Sequence, residues 1–197
     1  MKSVKYWQNR YGTKNIKGAS GFGSVGELLK FKTDFINKKI AEYNIESVLD
    51  FGHGDLGLAN GIEVDRYIGL DIFDFPKTEF VRDTVELINT PFDEYDGDSC
   101  DMTMCIDVLY HILEPEQEYM RKTVDKMFAK AKKCVIIYAQ DSLNSPKGFG
   151  AGSHLYDSKW RQHVDENYLD SWTLVYQQDK PKPNSSALMF VYLKKED

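Results

Sequence analysis

The chain has 197 residues, of which 42% are hydrophobic and 28% are charged, a composition typical of a folded domain with a substantial core and not of a disordered chain. Its formal net charge of −6 argues against a partner held mainly through phosphate contacts. No apolar segment follows Met1–Lys5 and no apolar run approaches the roughly 20 residues that span a bilayer, so we expect neither a signal peptide nor a membrane partner.

The first quarter of the chain predicts an arm, a helix and a strand. Residues 1–25 are rich in aromatic side chains and then in Gly and Ser, and they predict an N-terminal arm or lid. The core then occupies 26–197, and we expect 1–197 to form a single domain. From Glu27 onward, apolar residues fall on one stripe of a predicted helix. A strand follows at about 46–51.

The remaining elements alternate between strands and helices. A short crossover leads to a second strand at about 66–71, and residues 84–99 are predicted to be mostly loop. A Gly/Ser-rich loop at about 141–153 separates the fifth strand from the last helix. The last two strands are joined by a connection too short for a helix, so we predict that they are antiparallel. Strands three to seven are predicted at Thr78–Arg82, Cys100–Asp107, Cys134–Ala139, about 171–177 and about 186–193.

This alternation predicts an α/β fold. We expect an open sheet of about seven strands, mostly parallel with an antiparallel last strand, and helices on both faces. Ligands of such sheets bind beyond the carboxyl ends of the strands, where the strand order reverses. Candidate polar segments fall at these predicted ends, namely Asp50–Asp55, Asp71, Asp83 and Asp107–His111. The sequence therefore predicts one site built from all four segments.

A glycine turn and a distant carboxylate predict that this site binds a nucleoside. Gly52 and Gly54 follow the first strand, and glycines let the backbone come into contact with a ligand. Asp71 lies 21 positions after Asp50, at the tip of the next strand, where a carboxylate can accept both hydroxyls of a ribose. A dinucleotide site favours a third glycine that opens a longer helix. Here Leu56 stands two positions after Gly54 and the helix is short, which argues against NAD.

Three segments together resemble a known enzyme family. They are residues 48–55, 69–71 and 101–111, which are similar to the first, second and fourth motifs of the class I S-adenosylmethionine-dependent methyltransferases, a family with a Rossmann-like fold. The resemblance covers about residues 26–140. The opening residues 6–11, the loop 20–26 and Phe31-Lys32 are also similar to a branch of small bacterial and phage methyltransferases. The family often has a third glycine at the place of Leu56.

The resemblance implies S-adenosylmethionine as the cofactor. Gly52 and Gly54 would contact its methionine part, Asp71 its ribose hydroxyls and Asp83 its adenine amino group, while Asp107 would lie near its amino end. The arm would fold over the cofactor. With these implied contacts, the candidate cofactor-binding residues are Trp7, Tyr11, Ser20, Gly21, Gly52, His53, Gly54, Asp71, Ile72, Asp83 and Asp107.

Several of these residues also have purely structural interpretations. Asp83 is compatible with a turn or helix cap, and Asp107 with a local backbone cap. Trp7 and Tyr11 are equally compatible with core aromatics that anchor the arm. Ser20 and its neighbours are compatible with a flexible linker.

Two histidines are candidate catalytic bases. Methyl transfer from a sulfonium depends mainly on alignment, and a hydroxyl or amine acceptor also needs a base of near-neutral pKa. His111 lies four positions after Asp107, and His154 follows the Gly/Ser-rich loop. A structural histidine is the alternative for each. The implied reaction is methyl transfer to a hydroxyl or amine of a small-molecule or glycan-linked acceptor.

Motifs that the sequence lacks argue against other substrates and against a metal site. The chain has no Asn/Asp-Pro-Pro-Tyr segment after the fourth strand and no Pro-Cys pair, which argues against nucleic acid methylation. Asp107 and Asp141 lack a clear third ligand for Mg²⁺, so we expect no metal. The three cysteines lie in apolar stretches, which favours reduced thiols and a cytoplasmic location. A non-catalytic cofactor-binding or adaptor module remains the alternative, followed by a protein or nucleic acid methyltransferase.

Overall fold

The computed structural model describes residues 2–13, 20–74, 83–112, 116–140 and 159–196. Within these ranges there are five α-helices and seven strands. The helices are α1 (Lys2–Thr13), α2 (Gly26–Glu42), α3 (Gly57–Gly61), α4 (Gln117–Lys130) and α5 (Trp160–Asn167). The strands are β1 (Ser47–Phe51), β2 (Arg66–Asp71), β3 (Val85–Asn89), β4 (Cys100–Ile106), β5 (Ala131–Ala139), β6 (Trp172–Gln177) and β7 (Leu188–Lys194).

The seven strands form one sheet in the order β3-β2-β1-β4-β5-β7-β6. The neighbours among β1 to β5 pair in parallel, whereas β7 is antiparallel to both β5 and β6. The predicted open α/β sheet with an antiparallel last strand is confirmed. The strand order reverses between β1 and β4, so the carboxyl ends of these two strands form the switch point at which a ligand is expected.

The core lies on both faces of the sheet, as expected for a parallel sheet covered by helices. Alternate residues of β1 belong to two different clusters: Val48 packs with Ile36 of α2 and Ala59 of α3, and Leu49 packs with Val124 of α4 and Trp160 of α5. Burial of these apolar side chains fixes the register of β1 and therefore the position of the residues that follow it.

Strand β3 differs from the sequence prediction. It runs from Val85 to Asn89, inside a segment predicted to be mostly loop, while the predicted strand Thr78–Arg82 lies outside the described residues. The reason is that β3 is an edge strand: its residues are half-buried or exposed, so its sequence has little of the apolar signal seen in the central strands.

The three cysteines are buried and free, as their apolar surroundings predicted. None of the helices in the described ranges combines the length and the apolar character needed to cross a membrane.

Candidate functional site at the switch point

The glycine turn after β1 is fixed to the end of β2. The N–H groups of Gly52 and His53 donate to the Leu70 carbonyl at 2.8 and 3.1 Å. Gly52 has φ 98°, and a Cβ placed on it would lie 2.4 Å from Cγ2 of Val108. This conformation and this close approach both require glycine. The turn therefore presents bare backbone to the cleft beside it.

Asp71 ends β2 next to this turn. Its Oδ2 accepts the Gly54 N–H at 3.0 Å and its Oδ1 accepts the Phe73 N–H at 3.0 Å. The residue is 5% exposed, and burial raises its pKa to about 6. The two N–H donors fix the orientation of a carboxyl group beside the glycine turn, one strand from the point where the strand order reverses.

His53 shapes the turn from inside. It is buried, its Nδ1 lies 3.0 Å from the Gly54 carbonyl oxygen, and burial lowers its pKa to about 4. It is therefore neutral at pH 7. A Cβ on Gly69 would lie 2.8 Å from Cδ2 of His53, so β2 needs a glycine where the imidazole packs.

A second buried carboxyl group lies on β1, the strand that leads into this turn. Asp50 is 1% exposed and its Oδ2 accepts the Tyr67 hydroxyl at 2.5 Å. Its Oδ1 has no hydrogen-bond partner among the described residues. Burial raises the pKa of Asp50 to about 7, and the charge of Asp71 acts on it in the same direction. Asp50 and Asp71 therefore both titrate near neutral pH.

Asp107 follows β4 in a strained conformation, with φ 62°. Its Oδ2 lies 2.5 Å from the ammonium of Lys32, and its Oδ1 accepts the Tyr110 hydroxyl at 2.6 Å. Lys32 also donates to the Gly23 carbonyl at 2.6 Å. Burial and the neighbouring carboxylate both raise the pKa of Tyr110, so its hydroxyl stays a donor. Non-glycine residues with such a strained backbone are concentrated at functional sites.

The arm is connected to the glycine turn by hydroxyl groups. The Tyr11 hydroxyl lies 3.0 Å from Oγ of Ser20, and that oxygen accepts the Asp55 N–H at 2.9 Å. Ser24 donates to Asp55 Oδ2 at 3.2 Å. A Cβ on Gly54 would lie 2.6 Å from Oγ of Ser20. The arm therefore closes over the turn, so that Tyr11 is 6% exposed.

The aromatic residues of α1 also contact a candidate base. The rings of Trp7 and His111 meet edge to face, with centroids 4.8 Å apart. Trp7 also lies beside Tyr11, at 5.5 Å between ring centroids. His154, the other candidate base, lies outside the described residues.

These groups surround one cleft at the switch point, and most of the predicted site residues line it. They are Trp7, Tyr11, Ser20, Gly52, His53, Gly54, Asp71, Ile72, Asp107 and His111. Gly21 lies instead on the wall of an adjoining pocket.

Asp83 does not share this edge of the sheet. The prediction that it ends the third strand is wrong, because β3 begins only at Val85 and runs parallel to β2. Asp83 is exposed and precedes the strand, so it lies toward the opposite edge. The cleft edge of β3 is instead formed by Asn89, whose amide donates to the Asp71 carbonyl at 3.1 Å.

Several residues of the cleft were missed by sequence reasoning, among them one lysine and two aromatic residues. Lys32, Phe92 and Tyr119 line it, and the Phe92 N–H donates to the Tyr119 hydroxyl at 3.1 Å. A signal existed for Lys32, since it stands four positions from both Leu28 and Ile36 on the apolar stripe of α2. A lysine on such a stripe must find a buried partner.

Comparison with known proteins places this fold among methyltransferases. No protein-family model matches the chain, and no curated protein matches it. Among solved structures, magnesium protoporphyrin IX methyltransferase from Synechocystis PCC 6803 with bound S-adenosylmethionine has a TM-score of 0.67 at 12% identity, over 99% of this chain and 98% of that chain.

Two other enzymes show the same likeness. N-methyltransferase NodS from Bradyrhizobium japonicum WM9, in complex with S-adenosylhomocysteine, has a TM-score of 0.65 at 12% identity, over 98% of this chain and 99% of that chain. The Burkholderia thailandensis 1,6-didemethyltoxoflavin-N1-methyltransferase has a TM-score of 0.65 at 14% identity, over 98% of this chain and 87% of that chain. At these identities the likeness establishes the fold.

Proposed function

We propose that this chain, which has the fold of class I S-adenosylmethionine-dependent methyltransferases, transfers the methyl group of S-adenosylmethionine to a hydroxyl or amine of a small molecule. The observation that carries the proposal is the arrangement of Gly52, Gly54 and Asp71 at the switch point of the sheet. Bare backbone and an oriented carboxyl group are what a nucleoside needs from a protein.

The residues of the cleft fit the cofactor in three ways. The turn cannot hold a Cβ at Gly52, so its backbone is available for close contact. Asp71 can accept the ribose hydroxyls once it is ionised, because carboxylate oxygens have more lone pairs than its two N–H donors use. Asp107, partly exposed on the cleft wall, offers negative charge to the amino end of the cofactor.

The aromatic wall of the cleft supports the same assignment. Trp7, Tyr11 and Phe92 line it together with Ile72, and they offer flat apolar surfaces for a purine ring. We therefore assign the adenine to this part of the wall in place of Asp83.

His111 is the residue we assign as the base. It lines both the cofactor cleft and the adjoining pocket that contains Gly21, so an acceptor in that pocket would meet it. When bound, S-adenosylmethionine supplies an electrophilic methyl group, and the reaction yields the methylated acceptor, the neutral thioether S-adenosylhomocysteine and one proton. His111 takes that proton at a ring nitrogen.

Calorimetry with S-adenosylhomocysteine tests the cofactor assignment. We expect saturable binding with one site per chain, and no binding at millimolar ligand would refute the proposal.

A label-transfer experiment tests catalysis and the role of His111. The protein is incubated with methyl-labelled S-adenosylmethionine and a small-molecule cell extract, and labelled products are detected by mass spectrometry. His111→Gln should lower label transfer much more than it lowers the affinity for S-adenosylhomocysteine, since a base acts on the acceptor and His111 touches the cofactor cleft only at its wall. Binding of the cofactor with no transfer to any extract would favour the non-catalytic alternative.

A further inference from the structure

A second pocket, which we call the polar pocket, adjoins the cofactor cleft. Ser20, Lys32, Asp107 and His111 line both cavities and so form the boundary between them. The far wall of the polar pocket is contributed by Arg10 of α1, Tyr138 of β5 and residues 184–186 of the β6–β7 connection.

The far wall consists of groups that form hydrogen bonds. The Tyr138 hydroxyl lies 2.8 Å from Oγ of Ser185, and the Gln140 amide donates to Oγ of Ser186 at 2.5 Å. Each hydroxyl has further capacity to donate or accept. Asn184, held at φ 63°, adds an amide to the same wall. Such a wall suits a ligand with several hydroxyl groups and contrasts with the aromatic wall of the cofactor cleft.

The polar pocket also has a positive side. Its described wall contains two cations, Arg10 and Lys32, and one carboxylate, Asp107, in a chain whose net charge is −6. Lys32 is paired with Asp107 at 2.5 Å. The Arg10 guanidinium is held over the Trp7 ring, 5.2 Å from its centroid, and donates to the Tyr6 hydroxyl at 3.1 Å. A guanidinium held in place suits a carboxylate or phosphate.

We propose that the polar pocket binds the methyl acceptor and that this acceptor is a polyhydroxylated small molecule bearing a carboxylate or phosphate group. Arg10 binds the anionic group, and Asn184 with the neighbouring serines binds hydroxyls. The reacting hydroxyl or amine then lies at the boundary, beside His111. This inference rests on the proposed methyltransferase function, because it takes the adjoining cleft to be the cofactor site.

Three sugar probes that differ in charge test the inference. Methyl β-D-glucuronide carries a carboxylate, glucose 6-phosphate carries a phosphate, and methyl β-D-glucoside is neutral. Binding of each is measured by calorimetry on the protein saturated with S-adenosylhomocysteine. We expect at least one acidic probe to bind about tenfold or more tightly than the neutral one, since one charge-assisted contact supplies a difference of that size. The better acidic probe identifies the anionic group.

Substitutions in the wall of the polar pocket test whether the sugar probes bind there. Arg10→Gln should weaken the better acidic probe about tenfold and bring it to the level of the neutral probe, whereas Arg10→Lys should keep part of the preference. Asn184→Gly keeps the left-handed backbone and should weaken all three probes. The matched control is Arg121→Gln, the same charge change at an exposed position of α4, which should alter no probe.

The failure of this inference is distinguishable from failure of the proposed function. Three results would overturn the inference in a protein that still binds S-adenosylhomocysteine. They are equal binding of the acidic and neutral probes, no binding of the acidic probes, and an acidic preference that survives in Arg10→Gln. Absence of S-adenosylhomocysteine binding overturns the proposed function itself.

Discussion

The ammonium of Lys32 lies 2.5 Å from Oδ2 of Asp107 and joins α2 to the carboxyl end of β4 across 75 positions of sequence. The lysine side chain is 2% exposed and that of Asp107 is 24% exposed. This ion pair separates the cofactor cleft from the polar pocket, and it connects the segment before the sheet to the switch point.

Loss of the ion pair should destabilise the protein. Lys32→Met removes the buried cation and leaves the Asp107 carboxylate without its strongest partner. We expect the free energy of unfolding in urea to fall by about 2 kcal/mol, less than for a fully buried pair because Asp107 still reaches water. Lys30→Met is the matched control on the same helix: its partner is Asp34 and both side chains are mostly exposed, so it should change little. An equal effect of the two variants would contradict this prediction.

Neutralising Asp71 should weaken cofactor binding without unfolding the chain. Asp71→Asn keeps the size of the side chain and one oxygen acceptor, but it lacks the charge that would hold two ribose hydroxyls. We expect the affinity for S-adenosylhomocysteine to fall at least about tenfold in calorimetry. Burial already disfavours the charged form, but the new NH₂ group faces one of the two backbone N–H donors, so we expect a small fall in the melting temperature of a chain that still folds. Asp74→Asn, an exposed neighbour, is the control. An unchanged affinity in Asp71→Asn would remove this residue from the site.

Cofactor binding should depend on pH through Asp71. Its pKa is raised to about 6 by burial, and only the ionised form accepts both hydroxyls. Below about pH 6 the affinity for S-adenosylhomocysteine should therefore fall, by up to about tenfold per pH unit. Calorimetry between about pH 5 and pH 8 measures this slope. The same titration of Asp71→Asn should be flat at low affinity, and an equally steep slope there would assign the proton to another group.

Stability should depend on pH through Asp50. Burial raises its folded pKa to about 7 from the ordinary aspartate value of 3.8, so near neutral pH the folded chain holds a proton that the unfolded chain has already lost. The stability that this bound proton contributes is fully present below about pH 4 and is lost as pH rises through about 7. Asp50→Asn should thus gain stability over the native chain, by a few kcal/mol, as the pH rises from about 4 to about 8. Urea unfolding at several pH values measures the gain, and a constant difference would refute it.

A side chain at Gly52 should disturb the turn. In Gly52→Ala the new methyl group meets Val108 and the backbone keeps an unfavourable positive φ, so we expect a loss of about 1–3 kcal/mol in stability and weaker cofactor binding. Gly12→Ala is the control, because a Cβ there meets nothing within 4 Å and lies in a helix. Thermal unfolding and calorimetry compare the two. Equal melting temperatures would show that the turn tolerates a side chain.

Much of the fold was predictable because its signal is local. The apolar run Cys134–Ala139 and the glycine turn after Phe51 can be recognised without knowledge of the rest of the chain. Strand β3 was misplaced because an edge strand buries few side chains and therefore leaves little periodicity. As a result, Asp83 was predicted at the wrong edge of the sheet.

The site was predictable only in part, because some of its members are defined by distant partners. Lys32 meets Asp107 through tertiary packing, and only the break in an apolar stripe indicated a buried charge. Leu56 stands where the glycine motif often has a third glycine, and its backbone is left-handed. The backbone there adopts φ 70°, while the side chain is 1% exposed and packs with Tyr11. Burial of an apolar side chain offsets the conformational strain at that position.

The position of β7 between β5 and β6 determines which connection of the chain lies beside the polar pocket. It brings a hairpin connection to the edge of the sheet at which β5 ends, where Ser185 meets Tyr138. Hairpin connections tolerate insertion and substitution better than the strands that flank them. The wall of the polar pocket can therefore change through a few residues of one loop, while the parallel strands that carry the glycine turn and Asp71 stay unchanged.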